Sequence, residues 1–133
     1  MSIYVVGKVQ LNIDLSNEVQ KKLFEEALME VANKIGGKLV KNATVYGYSF
    51  KRKVPYLIMT NLRYGNGYGI EIKNGEIIVH ADVHGAKYMS VDVAKMIAQA
   101  YTTKAILRVA QKLKKKVQLK RVENKNVVYV YEV

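Results

Sequence analysis

The stretch from residue 67 to residue 83, GYGIEIKNGEIIVHADV, decides the fold. Its apolar residues recur with the period of two that is typical of β-strands. In its middle, Asn74-Gly75 is the two-residue signal for a type I′ turn, which joins neighbouring antiparallel strands. We therefore predict a hairpin whose strands cover residues 67–73 and 76–83.

The same period of two extends upstream to Leu39. It predicts two further strands, at about 39–50 and about 54–63. Residues Tyr64–Gly67 should turn the chain out of the second of these strands. Pro55 should lie at a strand start or on a sheet edge, because proline has no N–H to donate to a neighbouring strand.

An amphipathic helix precedes these strands. Apolar side chains three and four residues apart predict it over residues 17–35, after an extended stretch at 3–13. Gly36-Gly37 supplies the left-handed residue that commonly ends a helix. Three candidate N-caps stand before it: Asp14, Ser16 and Asn17.

A second helix is predicted over about 90–116, with Ser90 as its N-cap. A final hairpin is expected from residues 117–123 and 127–133, turned by Asn124–Asn126. Five side chains of the two helices should be buried in the core: Leu23, Leu28, Val31, Ile97 and Tyr101.

The element order is thus β-α-β-β-β-β-α-β-β. Short turns between consecutive strands favour an α+β fold in which an antiparallel sheet of five to seven strands carries both helices on one face. The 133 residues are enough for one domain, residues 1–133.

The composition narrows the class of protein. No cysteine is present, which excludes disulfides and cysteine-based zinc sites. No apolar run is long enough to span a membrane, and no secretory leader is evident, so we expect a cytoplasmic protein without membrane contact. Many lysines and few arginines would suit a thermophile.

The net charge of +11 is unevenly distributed. Residues 38–66 carry six basic residues and no acid, and residues 90–133 carry ten basic residues and three acids. A positive field of this kind attracts polyanions or acidic protein surfaces. Because no acid occurs within 38–66 or 93–122, we expect these cations to be unneutralised.

Several short motifs follow one another in the order seen in a known family. They are Ala43–Tyr48 ("A-x-V-x-G-Y"), Gly67–Ile70, Ile78–Gly85 with an "A-D-x-x-G" pattern, and Ile97–Tyr101 ("I-x-Q-x-Y"). The chain resembles the small cyanobacterial and plastid proteins called hypothetical chloroplast open reading frame thirty-five. It differs in being more basic and in carrying His84 where the family tends to have a bulky aromatic residue. The resemblance implies the same α+β fold, and the family supplies no established activity.

His80, Asp82 and His84 form a candidate metal site, which as a minor alternative would make the protein a metal-dependent enzyme. On a strand their spacing places all three side chains on one face, and two imidazoles with a carboxylate can bind a divalent metal. The alternative is that Asp82 closes the turn into Gly85 while both histidines lie on a solvated strand face, and we expect this second arrangement.

Other catalytic patterns are weak. The glycines of Gly65–Gly69 lack the order and the following helix of a phosphate-binding loop, so they read as a hairpin turn. No nucleophile stands with a histidine and an acid in a known order. We therefore expect a protein that is not an enzyme and carries no cofactor.

The basic residues are the strongest functional signal. Cations beside aromatic rings suit single-stranded nucleic acid, since cations neutralise phosphates and rings stack on bases. The candidate binding residues lie around a basic tripeptide between two predicted strands and along the second helix. They are Lys51, Arg52 and Lys53, with Tyr48 and Tyr56, and Lys104, Arg108, Lys112 and Lys115.

Two alternatives stand beside this hypothesis. Lysines can serve solubility alone, and tyrosines can belong to the core of a half-buried strand. The apolar strand Val127–Tyr131 could also offer an edge to a protein partner or a second copy, which would make the protein an accessory subunit or a homo-oligomer. The sequence leaves RNA and DNA equally open.

Overall fold

The computed structural model describes residues 3–112, 115–122 and 125–132 of the chain. Its elements follow the predicted order of strands and helices. They are β1 Tyr4–Gln10, α1 Glu18–Ile35, β2 Lys38–Tyr46, β3 Lys51–Met59, β4 Gly67–Lys73, β5 Glu76–Asp82, α2 Ser90–Lys112, β6 Lys115–Val122 and β7 Lys125–Glu132.

Five strands form one antiparallel sheet in the order β1-β5-β4-β3-β2, and β6 and β7 form a separate two-stranded sheet. The predicted β4–β5 hairpin is confirmed. Asn74 and Gly75 have φ angles of 52° and 73°, as a type I′ turn requires of both central residues. The first strand pairs with β5 at one edge of the sheet, and β2 forms the opposite edge, so the chain crosses the whole sheet between β1 and β2.

Both helices pack on one face of this sheet and share a single core with it. Leu23, Leu28, Val31 and Ile97 are buried as predicted. Tyr101 is only half-buried. Its ring lies against the edge of the Phe24 ring, with centroids 6.5 Å apart. Tyr101 therefore contributes to the contact between the two helices, but it is not fully buried as predicted.

The ends of α1 follow local rules. The Asn17 side chain accepts hydrogen bonds from the N–H groups of Val19 and Gln20, so Asn17 is the N-cap. Gly36, with φ 77°, ends the helix in the left-handed region. Both helix ends are fixed by residues within a few positions of them, so they need no contact with a distant part of the chain.

The start of α2 differs from the prediction. The Asp92 carboxylate accepts a hydrogen bond from the N–H of Met89, and the Ser90 hydroxyl donates to the carbonyl of Val5 in β1. Ser90 is fully buried, because the first turn of α2 lies directly on Gly7. Ser90 therefore joins the helix to the sheet, and the cap is made one residue earlier.

The last elements also differ in their bounds. Helix α2 ends at Lys112, and the following strand begins at Lys115. Within the predicted turn, Lys125 and Asn126 belong to β7, where they pair with Val122 and Arg121. Asn124 lies outside the described residues.

Strand β3 contains Pro55 in its middle, which corrects the prediction of a strand start or an edge. The β2–β3 ladder lacks a pair at this point, where Pro55 faces Asn42 with φ 50°. The missing N–H is tolerated because the ladder is already interrupted there. Tyr56 packs in the core beneath the helices, whereas Val54 packs with Val45 and Leu57 in a second cluster. Val54 and Tyr56, two residues apart, therefore pack into different clusters, so the inward-facing side of the β2–β3 hairpin changes at Pro55.

Neither helix, in the ranges listed above, is long and apolar enough to cross a membrane.

Candidate nucleic-acid interface

Asp82, the last residue of β5, organises one end of the sheet. Its side chain is fully buried and accepts hydrogen bonds from the backbone N–H groups of Ile3, Tyr48 and His84. Burial raises the pKa of this carboxyl group, and the three N–H donors outweigh it, so the pKa lies below its ordinary value. One ionised side chain therefore connects the start of β1, the β2–β3 turn and the segment after β5.

The β2–β3 turn, residues 47–50, lies directly against Asp82. A Cβ atom at Gly47 would come within 2.6 Å of the Asp82 Cβ atom, so no larger residue fits. Asn66 fixes the neighbouring loop, because its side chain accepts from the N–H of Tyr46 and donates to the carbonyl of Thr44. The turn and the β3–β4 loop are therefore held together by polar contacts.

Three rings and one guanidinium group meet at this position. The Tyr48 ring packs edge-on against Tyr64, with centroids 5.7 Å apart, and the Tyr64 ring lies 5.3 Å from that of His84. The Arg63 guanidinium carbon stands 5.5 Å from the centroid of Tyr64. Tyr48 is nonetheless 76% exposed. We call Tyr48, Arg63, Tyr64 and His84 the aromatic surface.

The β2–β3 hairpin continues this surface with two lysines. Lys51 pairs with Tyr46 and Lys53 pairs with Thr44, so the partners' side chains stand beside each other on one face. Lys51, Lys53 and Tyr46 are all exposed. These lysines lie inside β3, which corrects the expectation that the basic tripeptide stands between strands.

Arg52 projects to the other side of the hairpin, and its charge is neutralised. Its guanidinium donates to both carboxylate oxygens of Glu71 in β4, at 3.0 and 3.1 Å. Glu71 in turn has a pKa below its ordinary value, chiefly because of this hydrogen bond. The expectation that no acid neutralises this block was wrong, because the acid comes from another strand.

The Glu71 carboxylate also faces a buried histidine. Its Oε2 atom lies 3.7 Å from the Nε2 atom of His80, and the Nδ1 atom of His80 shares a hydrogen bond of 2.7 Å with the Tyr4 hydroxyl. The Tyr4 ring stacks on Phe50, with centroids 4.1 Å apart. We call Tyr4, Arg52, Glu71 and His80 the internal network. Burial lowers the pKa of His80, and the Glu71 charge opposes that effect in part.

Tyr56 cannot serve as a stacking platform in this fold. Its ring is buried, and its hydroxyl donates to the Glu25 carboxylate at 2.8 Å. Burial, then the hydrogen bond to Glu25 and the Glu25 charge, raise the pKa of this hydroxyl. The interpretation of Tyr56 as a core residue of a half-buried strand is the one that the contacts support.

The basic residues of α2 lie away from the aromatic surface. Lys104 pairs with Glu30 of α1 at 3.7 Å, Arg108 is half-buried and Lys112 is exposed. At 1.5 Å per residue, Lys112 stands about 33 Å along the helix from Ser90. Lys115 is the first residue of β6. These basic residues of α2 therefore form a surface that is separate from the aromatic surface.

The proposed metal ligands do not form one cluster. His80 is bound to Tyr4, and Asp82 is occupied by three N–H donors, one of them from His84. The His84 ring packs on Tyr64. The described parts of the chain contain no group of three His, Asp or Glu side chains that could hold a metal ion. The turn-closing role of Asp82 agrees with these contacts. The expectation that both histidines lie on a solvated strand face is wrong, because His80 is buried and His84 lies beyond the end of β5.

Arg63, Tyr64 and His84 were not among the predicted binding residues. The sequence predicts a turn at Tyr64, and it offers His84 as a metal ligand or as a residue of a solvated strand face. They come together because the β3–β4 and β5–α2 loops leave the same end of the sheet. In an antiparallel sheet, strands of the same direction end at the same side, so the predicted strand ends near residues 60 and 83 could have placed these two loops close together.

Comparison with known proteins identifies no relative: no family model matches the chain, and neither a curated protein nor a solved structure matches it. The resemblance to the family of hypothetical chloroplast open reading frame thirty-five therefore stays a prediction.

Proposed function

We propose that this protein is a non-catalytic, basic protein that binds single-stranded nucleic acid with little sequence preference. The observation that carries the proposal is the placement of Tyr48. Its ring is 76% exposed, yet its backbone N–H is bound to a buried carboxylate and its ring edge rests on Tyr64. An exposed ring that is already held in position loses little conformational entropy when a base stacks on it.

Charge supports the same function. Lys51 and Lys53 flank Tyr46 and Thr44 on the hairpin, and Arg63 adjoins Tyr64. None of these three cations forms an ion pair with a carboxylate of the described residues. Cations without an internal partner are available to phosphates, and the net charge of +11 attracts a polyanion from a distance.

The residue types favour single strands and broad specificity. Rings can stack only on bases that are not already stacked within a duplex. Lysine is a point charge that suits a phosphate but lacks the planar fork with which arginine reads a base edge. Contacts of this kind therefore distinguish single strands from duplexes better than they distinguish sequences.

Titration of labelled RNA and DNA tests this proposal directly. The wild-type chain should bind single strands at low salt, bind a duplex more weakly, and lose affinity as salt rises. Tyr48→Ala should weaken binding by about fivefold to about 150-fold, since stacking contributes about 1–3 kcal/mol per base. Tyr48→Phe is the matched control, because it keeps the ring and should keep the affinity.

The proposal fails if neither RNA nor DNA binds at low ionic strength. If Tyr48→Ala and Tyr48→Phe bind with equal affinity, the ring of Tyr48 is not part of the interface.

A second candidate function is that of an interaction protein. It is favoured by the separate β6–β7 sheet, in which each strand has a neighbour on one side only among the described residues. Such edges can pair with a strand of another chain. Light scattering at several concentrations should then reveal a homo-oligomer, and a monomer throughout would argue against self-association.

A further inference from the structure

A small pocket lies next to the aromatic surface. Its volume is about 200 Å³, and its walls come from the β3–β4 loop, the β5–α2 segment and the end of α1. The residues that give it chemical character are Thr60, Asn61, Arg63, Lys87 and Tyr88. Arg63 belongs to both places, so the pocket continues the aromatic surface.

The pocket has a positive charge at its rim. Each of its two cations lies near the ring of the tyrosine that follows it in sequence, Arg63 near Tyr64 and Lys87 near Tyr88, both at 5.5 Å from the ring centroid. No carboxylate is among the residues that line it, and neither cation takes part in an ion pair with another described residue. Thr60 and Asn61 add neutral groups that can donate hydrogen bonds.

The walls are fixed by the protein itself. The Tyr68 hydroxyl donates to the carbonyl of Tyr88 and so connects strand β4 to the segment before α2. Burial raises the pKa of Tyr68 to about 12, and the charge of Asp92 acts in the same direction. Asp92 is a carboxylate near the pocket, and it accepts a hydrogen bond from the N–H of Met89.

The size of the pocket limits its ligand. Pockets for drug-sized molecules enclose roughly 300–1,000 Å³, so a complete nucleotide does not fit inside this one. A single tetrahedral anion does, and two cations with neutral donors are the groups that recognise phosphate. A phosphodiester inside a strand is flanked by sugars on both sides, whereas a terminal phosphate is attached on one side only and can enter a pocket of this size.

We propose that this pocket binds the phosphate group of a phosphate monoester, carried at the end of a single strand whose neighbouring base stacks on the aromatic surface. This proposal rests on the proposed function for the source of the phosphate. The pocket chemistry itself requires only a phosphate group, which free phosphate could also supply.

The test compares decamers of one sequence that carry a 5′-phosphate, a 3′-phosphate or hydroxyls at both ends. The wild-type chain should bind one phosphorylated strand about tenfold more tightly than the strand without phosphate, the ratio expected of a charge-assisted hydrogen bond. Lys87→Gln should abolish the ratio. Lys95→Gln removes the same charge from an exposed site on α2 and should preserve it.

Inorganic phosphate is titrated separately, with the backbone amide signals of residues 60–63 and 85–88 followed by NMR. If all three decamers bind equally, the terminal-phosphate inference is wrong and the proposed function stands. If no decamer binds but inorganic phosphate shifts these signals in the wild type and not in Lys87→Gln, the pocket binds phosphate and the proposed function is wrong. If neither decamers nor phosphate bind, both are wrong.

Discussion

The aromatic surface and the internal network are built from the same residue types and have opposite characters. Each contains tyrosine, histidine and arginine: Tyr48, Tyr64, His84 and Arg63 in the first, Tyr4, His80 and Arg52 in the second. The network also contains Glu71, which binds Arg52 and faces the buried His80. In the aromatic surface, Asp82 binds only the backbone N–H groups of Tyr48 and His84, and no carboxylate of the described residues forms an ion pair with Arg63. Its outermost ring, that of Tyr48, stays exposed.

The comparison shows that one carboxylate separates a structural cluster from a candidate binding surface. A guanidinium held by two oxygens of Glu71 must give up that partner before it can bind a phosphate. Arg63 has no carboxylate partner to give up in the part of the chain that the structure describes. Residue composition alone therefore does not distinguish the internal network from the candidate binding surface, whereas charge compensation across strands does.

The largest expected effect comes from Asp82, which supports both regions through Tyr48 and Ile3. Asp82→Asn should lower the free energy of unfolding by roughly 2–3 kcal/mol, because an amide cannot accept from all three buried N–H donors and brings its own N–H₂ group. Urea unfolding at neutral pH measures the loss. Ser49→Ala, an exposed change in the same turn, is the control and should be close to neutral.

The same carboxylate predicts the sign of the acid dependence. The pKa of Asp82 is lower in the folded chain than in the unfolded one, so its contribution to stability is full above about pH 3.9 and is lost as pH falls through the folded pKa. Wild type should therefore lose more stability than Asp82→Asn between neutral pH and pH 3. Parallel losses in the two proteins would contradict the assigned role.

Local features of this fold were predictable from sequence, and non-local ones were not. Asn74-Gly75 and Gly36 act through their own φ angles, so their turn and helix end could be placed directly. Tyr48 and Tyr56 look alike in sequence. Tyr48 is exposed because it lies in the β2–β3 turn, outside both strands. Tyr56 is core because the ladder is interrupted at Pro55, and the residues after it alternate toward the helices.

The site shows the same division. That Lys51 and Lys53 are exposed follows from alternation along β3, once the strand is known to include them. The pairing of Arg52 with Glu71 lies outside the β3–β4 ladder, which covers only Tyr56–Met59 and Gly67–Ile70, so neither a local pattern nor the strand pairing specifies it. The meeting of Arg63, Tyr64 and His84 depends on two loops that are some twenty residues apart in sequence. Candidate residue types could be named, but their partners could not.

An intermediate effect is expected from Glu71→Gln. This change removes the carboxylate that neutralises Arg52, so that the arginine of the internal network, like Arg63, has no carboxylate partner. Loss of the bidentate pair should cost up to about 1 kcal/mol of unfolding free energy, since Arg52 is partly exposed. The pKa of His80, already below its ordinary value because of burial, should fall further without the Glu71 charge.

NMR titration of the histidine ring signals measures that change. Because the folded pKa of His80 is below the unfolded value of about 6.5, its contribution to stability is present above that pH and is lost as pH falls through the folded pKa. Arg52→Gln is the matched variant, since Arg52 acts on His80 in the opposite direction to Glu71 and its removal should raise the pKa. A His80 pKa that rises in Glu71→Gln would overturn the network as described.

The smallest expected effect is a change in the salt dependence of nucleic-acid binding, which should differ between Arg52 and its two neighbours, Lys51 and Lys53. Lys51 and Lys53 are exposed on the outer face of the hairpin, whereas Arg52 is held by Glu71. If the outer face follows a nucleic-acid backbone, Lys51→Gln and Lys53→Gln should each reduce the dependence of log affinity on log salt by about 0.7, the value for one lost phosphate contact on a single strand. Arg52→Gln removes the same charge and should change this slope far less. Lys22→Gln, on the exposed face of α1, controls for net charge alone. Equal slopes for all four variants would mean that only total charge matters, and the distinction between paired and unpaired cations would then carry no functional information.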